Sequence, residues 1–153
     1  MSGCTQAQLN NCGIENCHGL DISCGPNVPD ACTAMYQLGD FCRQYANCSI
    51  INGSCALEQN QEFLTCKSCI EDCEELYDGI DAFDCENVCR EKMDKYCEED
   101  EDCACGRNIN TNDCFFGKKE LVNIVDQCPD YCSGIAGNLA IKCENKECIQ
   151  INI

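Results

Sequence analysis

The stretch Cys66-Lys-Ser-Cys69-Ile-Glu-Asp-Cys73, followed after eleven residues by Cys85-Glu-Asn-Val-Cys89, decides the architecture. Around it Phe63, Cys66, Ile70, Cys73 and Tyr77 recur at three- and four-residue spacing, with Cys69 and Leu76 alongside, which is the apolar stripe of a helix. Gly79 is placed to end that helix. Asp81 offers an N-cap with Asp84 three residues on, and Ala82, Cys85, Cys89, Met93 and Tyr96 carry the stripe of a second helix. The connection Asp78-Gly79-Ile80 is short enough to force an antiparallel pair.

The twin C-x3-C spacing resembles that of the small helical-hairpin proteins of the mitochondrial intermembrane space. The resemblance covers about a quarter of the chain and implies a fold for the hairpin, with no chaperone function carried across. In an antiparallel hairpin the nested pairing of Cys69 with Cys89 and Cys73 with Cys85 is geometrically sound, because each partner climbs the same stretch of helix, roughly 6 Å. The outer cysteines fail that test. Cys66 stands about 10 Å above Cys73 and Cys97 about 18 Å above Cys85, so both are expected to bridge outward, to the N-terminal segment.

Beyond the hairpin, 21 of 153 residues are cysteine, with no Trp and 7% aromatics. Apolar burial is therefore thin, and cross-links are expected to substitute for it. Cytosolic thiols are kept reduced, so such a chain either lies in an oxidising compartment or binds metal through thiolates. Metal storage predicts repeated C-x-C and C-x-x-C clusters. Here Cys103-Ala-Cys105 and Cys66-Lys-Ser-Cys69 are the only such pairs, which favours disulfides. Copper-storing helical bundles lined with cysteine remain the best metal alternative for residues 57–98, and an iron–sulfur reading of Cys66, Cys69 and Cys73 lacks its fourth ligand. Oxidised cysteines imply export, yet Met1-Ser-Gly-Cys4 has neither a basic nor an apolar leader region, so a removed leader is expected to precede it.

The flanks differ from the hairpin. Residues 1–56 are punctuated by Gly and Pro among widely spaced cysteines, and read as turns and short helices: one over Ala31 to Leu38 capped by Asp30, another over Phe41 to Ala46 capped by Asp40. Residues 99–153 read as a disulfide-tied β module. Its expected strands lie at Phe115-Phe116, Leu121 to Val125, Leu139 to Cys143 and Cys148 to Ile153, the last two forming a hairpin with the four-residue loop Glu144-Asn-Lys-Glu147 between Cys143 and Cys148. The phrases Cys103-Ala-Cys-Gly106 and Gln127-Cys-Pro-Asp-Tyr-Cys132 through Cys148 are similar to those of cysteine-rich surface proteins of bacteria and archaea, which implies export. Glu98-Glu-Asp-Glu-Asp102 reads as a solvated linker, with weak cation binding as the alternative.

Catalytic signals are poor. The single histidine lies in Asn16-Cys-His18-Gly-Leu-Asp21, a stretch similar to secreted phospholipase A2. The paired cysteines of that family are missing and Gly19 stands in place of its aspartate, so no catalytic role carries over, and His18 is expected to make a structural hydrogen bond. No catalytic, cofactor or metal residue is assigned. The net charge of −17 repels nucleic acid and anionic lipid surfaces. Two sequons, Asn47-Cys-Ser and Asn52-Gly-Ser, fall in an expected Gly- and Asn-rich loop and mark Asn47 and Asn52 as candidate glycosylation sites.

Two features point to self-association. An odd number of cysteines leaves one free, lipidated or bonded across a two-fold axis, since a head-to-tail disulfide chain consumes two per subunit. Cys4 is the natural candidate, and Met1-Ser-Gly-Cys4 resembles a bacterial lipobox with Met where leucine is usual, which implies acylation and the only membrane attachment expected. The second feature is Ile149-Gln-Ile151-Asn-Ile153, an uncharged alternating strand suited to pairing with another subunit. The sequence thus reads as a small disulfide-rich α+β protein in three segments, 1–56, 57–98 and 99–153. Its expected role is a non-enzymatic, secreted or surface structural subunit of a filament or envelope layer. A secreted binding or inhibitor module presenting Gly25 to Pro29 is the runner-up, and thiolate copper storage the third reading.

Overall fold

The computed structural model describes residues 11–58 and 60–153. The chain is a small disulfide-rich α+β protein with ten disulfides and several small antiparallel sheets. It forms two compact units whose boundary falls between Glu86 and Asn87, so the segment 57–98 is divided between them.

In the first unit β1 (Gly13–Ile14) pairs with β2 (Cys24–Gly25), a 3-10 helix covers Asp40–Tyr45, β3 (Asn47–Ile51) and β4 (Ser54–Glu58) form a hairpin, and α1 (Gln61–Leu76) is followed by the first part of α2 (Ile80–Asp94), a helix that contains the boundary. Asn60 starts α1. Its side-chain oxygen accepts from Phe63 N at 2.7 Å while its amide donates to Tyr45 O at 2.6 Å, tying the helix start to the chain before β3. The face of α1 that carries Phe63, Cys66, Ile70 and Cys73 is fully buried. Phe63 and Ile70 each contribute about 1.5–3 kcal/mol of burial, and Cys42–Cys66 closes this core covalently. Gly39, at φ 85°, lets the preceding loop pass directly over the helix, because a Cβ there would come within 2.9 Å of Ile70 Cγ2.

Four differences from the sequence reading arise here. Residues 31–38 form no helix, because side chains capture their backbone: Thr33 O contacts His18, and the Gln37 amide donates to Asp40. The cap of the 3-10 helix is Gly39, since the Asp40 carboxylate is turned back onto Gln37 N and Gly19 N. The expected loop at 47–53 is instead the β3–β4 hairpin, turned by Asn52 and Gly53 at φ 52° and 77°, the two left-handed residues that a type I′ turn requires. Finally, the stripe of α1 stops at Cys73; Leu76 and Tyr77 are exposed, and Tyr77 lies outside the helix.

In the second unit β5 (Cys103–Asn108) lies between β6 (Cys114–Lys118) and β7 (Val122–Asn123), α3 (Pro129–Ser133) is a short helix with Pro at its start, and β8 (Leu139–Glu144) pairs with β9 (Glu147–Asn152). Cys89, Met93, Tyr96, Cys97, Val122, Cys128 and Cys148 are its buried apolar residues. A Cβ on Gly117 would lie 2.5 Å from Asp94 O, so β6 can pass under the end of α2 only with glycine there. The run expected as a strand at 121–125 is shorter, with only Val122–Asn123 paired and Ile124 and Val125 exposed. The β8–β9 loop is Asn145-Lys146 at φ 53° and 65°, two residues where four were expected. Cys97 bonds to Cys143, not to the N-terminal segment. The acidic run is not a bare linker: Asp100–Asp102 forms a 3-10 turn with a capping box from Glu99 and Asp102, and Asp100 accepts from Cys143 N at 2.8 Å.

Candidate functional site

Every described cysteine is disulfide-bonded. Within the first unit the bridges are Cys12–Cys55, Cys17–Cys32, Cys24–Cys48, Cys42–Cys66 and Cys73–Cys85; within the second they are Cys97–Cys143, Cys103–Cys148, Cys105–Cys132 and Cys114–Cys128. Cys69 and Cys89 are each bonded as well. Cys143 and Cys148 face each other across β8 and β9, yet each bonds outside the hairpin, anchoring its two strands separately. The sulfurs of Cys97, Cys103 and Cys143 lie within 4.8 Å of one another. All three are consumed by bridges, so this cluster offers no thiolate to a soft metal.

His18 is positioned by the bridge next to it. Cys17–Cys32 brings Thr33 alongside, and His18 Nδ1 lies 2.7 Å from Asp40 Oδ2 while Nε2 lies 3.2 Å from Thr33 O and 3.3 Å from Thr33 Oγ1. Burial pushes the Asp40 carboxyl up, but the Gln37 and Gly19 N–H groups and His18 outweigh it and hold the carboxyl below the usual aspartate range. Thr33, His18 and Asp40 thus stand in the order of nucleophile, base and orienting acid. Both ring nitrogens are occupied within the loop, and the neighbouring Arg43 guanidinium is spent on the carbonyls of Gly19 and Asn16. The open clefts beside them, of about 240 and 350 Å³, are lined by Leu20, Asp21 and Lys67, not by His18.

The other sequence-derived residues lie apart. Asn47 is exposed at the start of β3, where its side chain donates to Glu58 at 3.0 Å, and the central Cys48 of its sequon is bonded to Cys24. Asn52 is exposed at the hairpin tip. Cys4 lies outside the described residues. In β9, Ile149 and Ile151 are half-buried; Ile153, which follows the strand, is 74% exposed. The β9 strand has one strand partner, β8, in its two-stranded sheet; outside that sheet Tyr96 bridges to Glu147 and the Cys148 amide donates to Lys95 O, while Ile149 to Asn152 form no further ladder among the described residues.

Glu86 is a residue that sequence reasoning missed. It is 3% exposed, accepts from Gly39 N at 2.9 Å and from the Tyr36 hydroxyl, and so fastens the 36–39 loop to α2. The available signal was its position, four residues after Ala82 on the buried face, where an acidic side chain persists only if it is hydrogen-bonded.

Ten disulfides fit an oxidising, extracellular-type compartment, and no helix among the described residues is long and apolar enough to cross a membrane. Compared with known proteins, the chain matches no family model, no curated protein and no solved structure.

Proposed function

We propose that the protein is a non-enzymatic structural subunit of an extracellular filament or envelope layer, adding its neighbour along β9. The observation that supports this reading is an uncharged stretch, Ile149 to Asn152, that pairs with β8 on one side and forms no further ladder among the described residues. An unprotected edge carries backbone donors and acceptors in register for another strand. A covalently stapled fold suits a component that must persist outside the cell. Sedimentation of oxidised protein is expected to show concentration-dependent polymers that disappear both on deleting Ile149–Ile153 and in the milder Ile153→Lys variant. A monomer at every concentration, or polymers indifferent to both changes, overturns the proposal. Mass-spectrometric thiol titration of the denatured, unreduced chain checks the premise, since about twenty reactive thiols would sink it.

A second reading, a secreted binding module, draws on the 25–29 loop. Val28 there is 47% exposed, while the Glu15 carboxylate holds Asn27 N at 2.9 Å and Cys24–Cys48 fixes the loop base. One stoichiometric partner bound to a discrete monomer would favour it.

A further inference from the structure

Where α1 turns into α2 the chain exposes large apolar side chains in close succession. Leu76 is 73% exposed, Tyr77 47%, Ile80 81% and Phe83 45%, and the Phe83 ring lies 6.4 Å from that of Tyr36, itself 47% exposed beside Met35 at 71%. Single exposed apolar residues are ordinary, but a contiguous group with a polar surround marks an interaction surface. The group is also preorganised. Cys73–Cys85 closes the hairpin immediately below it, and the Tyr36 hydroxyl is bound to Glu86, so little order remains to be imposed on docking.

The surround identifies the occupant. Between Lys67 and Arg90 the sequence holds eight acidic residues and no basic one, and seven of them, Glu71, Asp72, Glu74, Glu75, Asp78, Asp81 and Asp84, are exposed. A second copy would bring the same charge to the contact, and anionic lipid or nucleic acid would be repelled. We propose that the hairpin tip docks a basic segment of a partner protein that carries apolar side chains, its lysines or arginines meeting the carboxylates while its apolar residues cover Leu76, Ile80 and Phe83. The carboxylates set the encounter rate and its salt dependence, and the apolar contacts set residence time. The proposal uses no residue of β9 and does not depend on the assembly reading.

The test titrates the oxidised full chain by calorimetry with a Lys/Leu amphipathic peptide, a Lys/Ser peptide of equal charge, a Glu/Leu peptide and phosphatidylcholine vesicles. Saturable binding of the Lys/Leu peptide alone is expected. It should weaken about tenfold or more in L76S/I80S, and in D78N/D81N/D84N it should weaken with a shallower salt dependence. V125S/I135S, removing side chains 88% and 93% exposed elsewhere, should leave affinity unchanged. Equal binding of the Lys/Ser peptide, equal loss in V125S/I135S, or capture by the neutral vesicles overturns the proposal, as does a tip-dependent dimer that excludes the peptide.

Discussion

The two units are stapled at similar density but satisfy their backbones by different means. In the second, β5 between β6 and β7, together with the β8–β9 hairpin, gives the chain regular ladders; Cys103–Cys148 ties one ladder to the other, while Cys105–Cys132 ties β5 to α3. In the first, residues 11–46 contain only a two-residue strand pair and a 3-10 helix, and buried or half-buried side chains supply the missing partners: Asp40 to Gln37 and Gly19, Glu86 to Gly39, Arg43 to Gly19. A covalent framework lets a chain dispense with regular structure only where polar side chains take over the backbone's hydrogen bonds.

That contrast can be broken most directly at Cys42–Cys66, fully buried and closing a loop of 24 residues. The C42A/C66A variant should lose about 3 kcal/mol from the loop-closure term alone, read as lost hydrogen-exchange protection in α1. The same loss in C105A/C132A, whose loop of 27 residues has a similar closure entropy, should be read in β5, where ladder bonds should keep partial protection. Equal collapse of both regions to unprotected amides would erase the distinction. Next in size, Glu86→Leu leaves Gly39 N and the Tyr36 hydroxyl without their acceptor and should cost about 2 kcal/mol in urea unfolding. Glu86→Gln, which keeps an acceptor, should cost less, and equal costs would show that the loop does not depend on this carboxylate.

The smallest effect concerns pH. Asp40 is held below the usual aspartate range, so its contribution is present above the unfolded-state value and is lost as pH falls through the folded one. Asp94 has the opposite sign: burial raises its carboxyl, with Lys118 opposing, so its ionisation costs stability above the folded value and the cost is relieved as pH falls. Asp102 shares the sign of Asp40, through the Glu98 and Glu99 N–H groups. Acid titrations of stability should therefore flatten in D40N, whereas D94N should gain stability at neutral pH and lose the acid-side relief. Identical profiles for the two variants would contradict these assignments.

The legible parts of the sequence were those with a period. Phe63, Cys66, Ile70 and Cys73 announce α1, and the alternation of Leu139 and Ile141 against Ile149 and Ile151 announces the β8–β9 pair. Residues 11–46 gave no such signal because their order comes from Asp40, Glu86 and Arg43 reaching partners 20 or more residues away, contacts without any local pattern. The Asn52-Gly53 hairpin was legible in principle, since Asn-Gly between apolar residues is a strong turn signal, although the same two residues also read as part of a loop. Of the two proposed surfaces, the one along β9 could be inferred from the absence of charge over Ile149 to Ile153. The hairpin tip could not, because Leu76 and Tyr77 lie in phase with a stripe that the fold ends one turn earlier.

The order of the bridges along the chain has a consequence for survival. Cys12–Cys55 overlaps Cys42–Cys66, so every peptide bond from residue 12 to residue 66 lies inside at least one covalent ring, and Cys97–Cys143 with Cys103–Cys148 does the same from 97 to 148. A protease that cuts once anywhere in those spans releases nothing. The nicked chain remains one molecule until a reductant reaches it, so hydrolytic damage accumulates in these regions without loss of material.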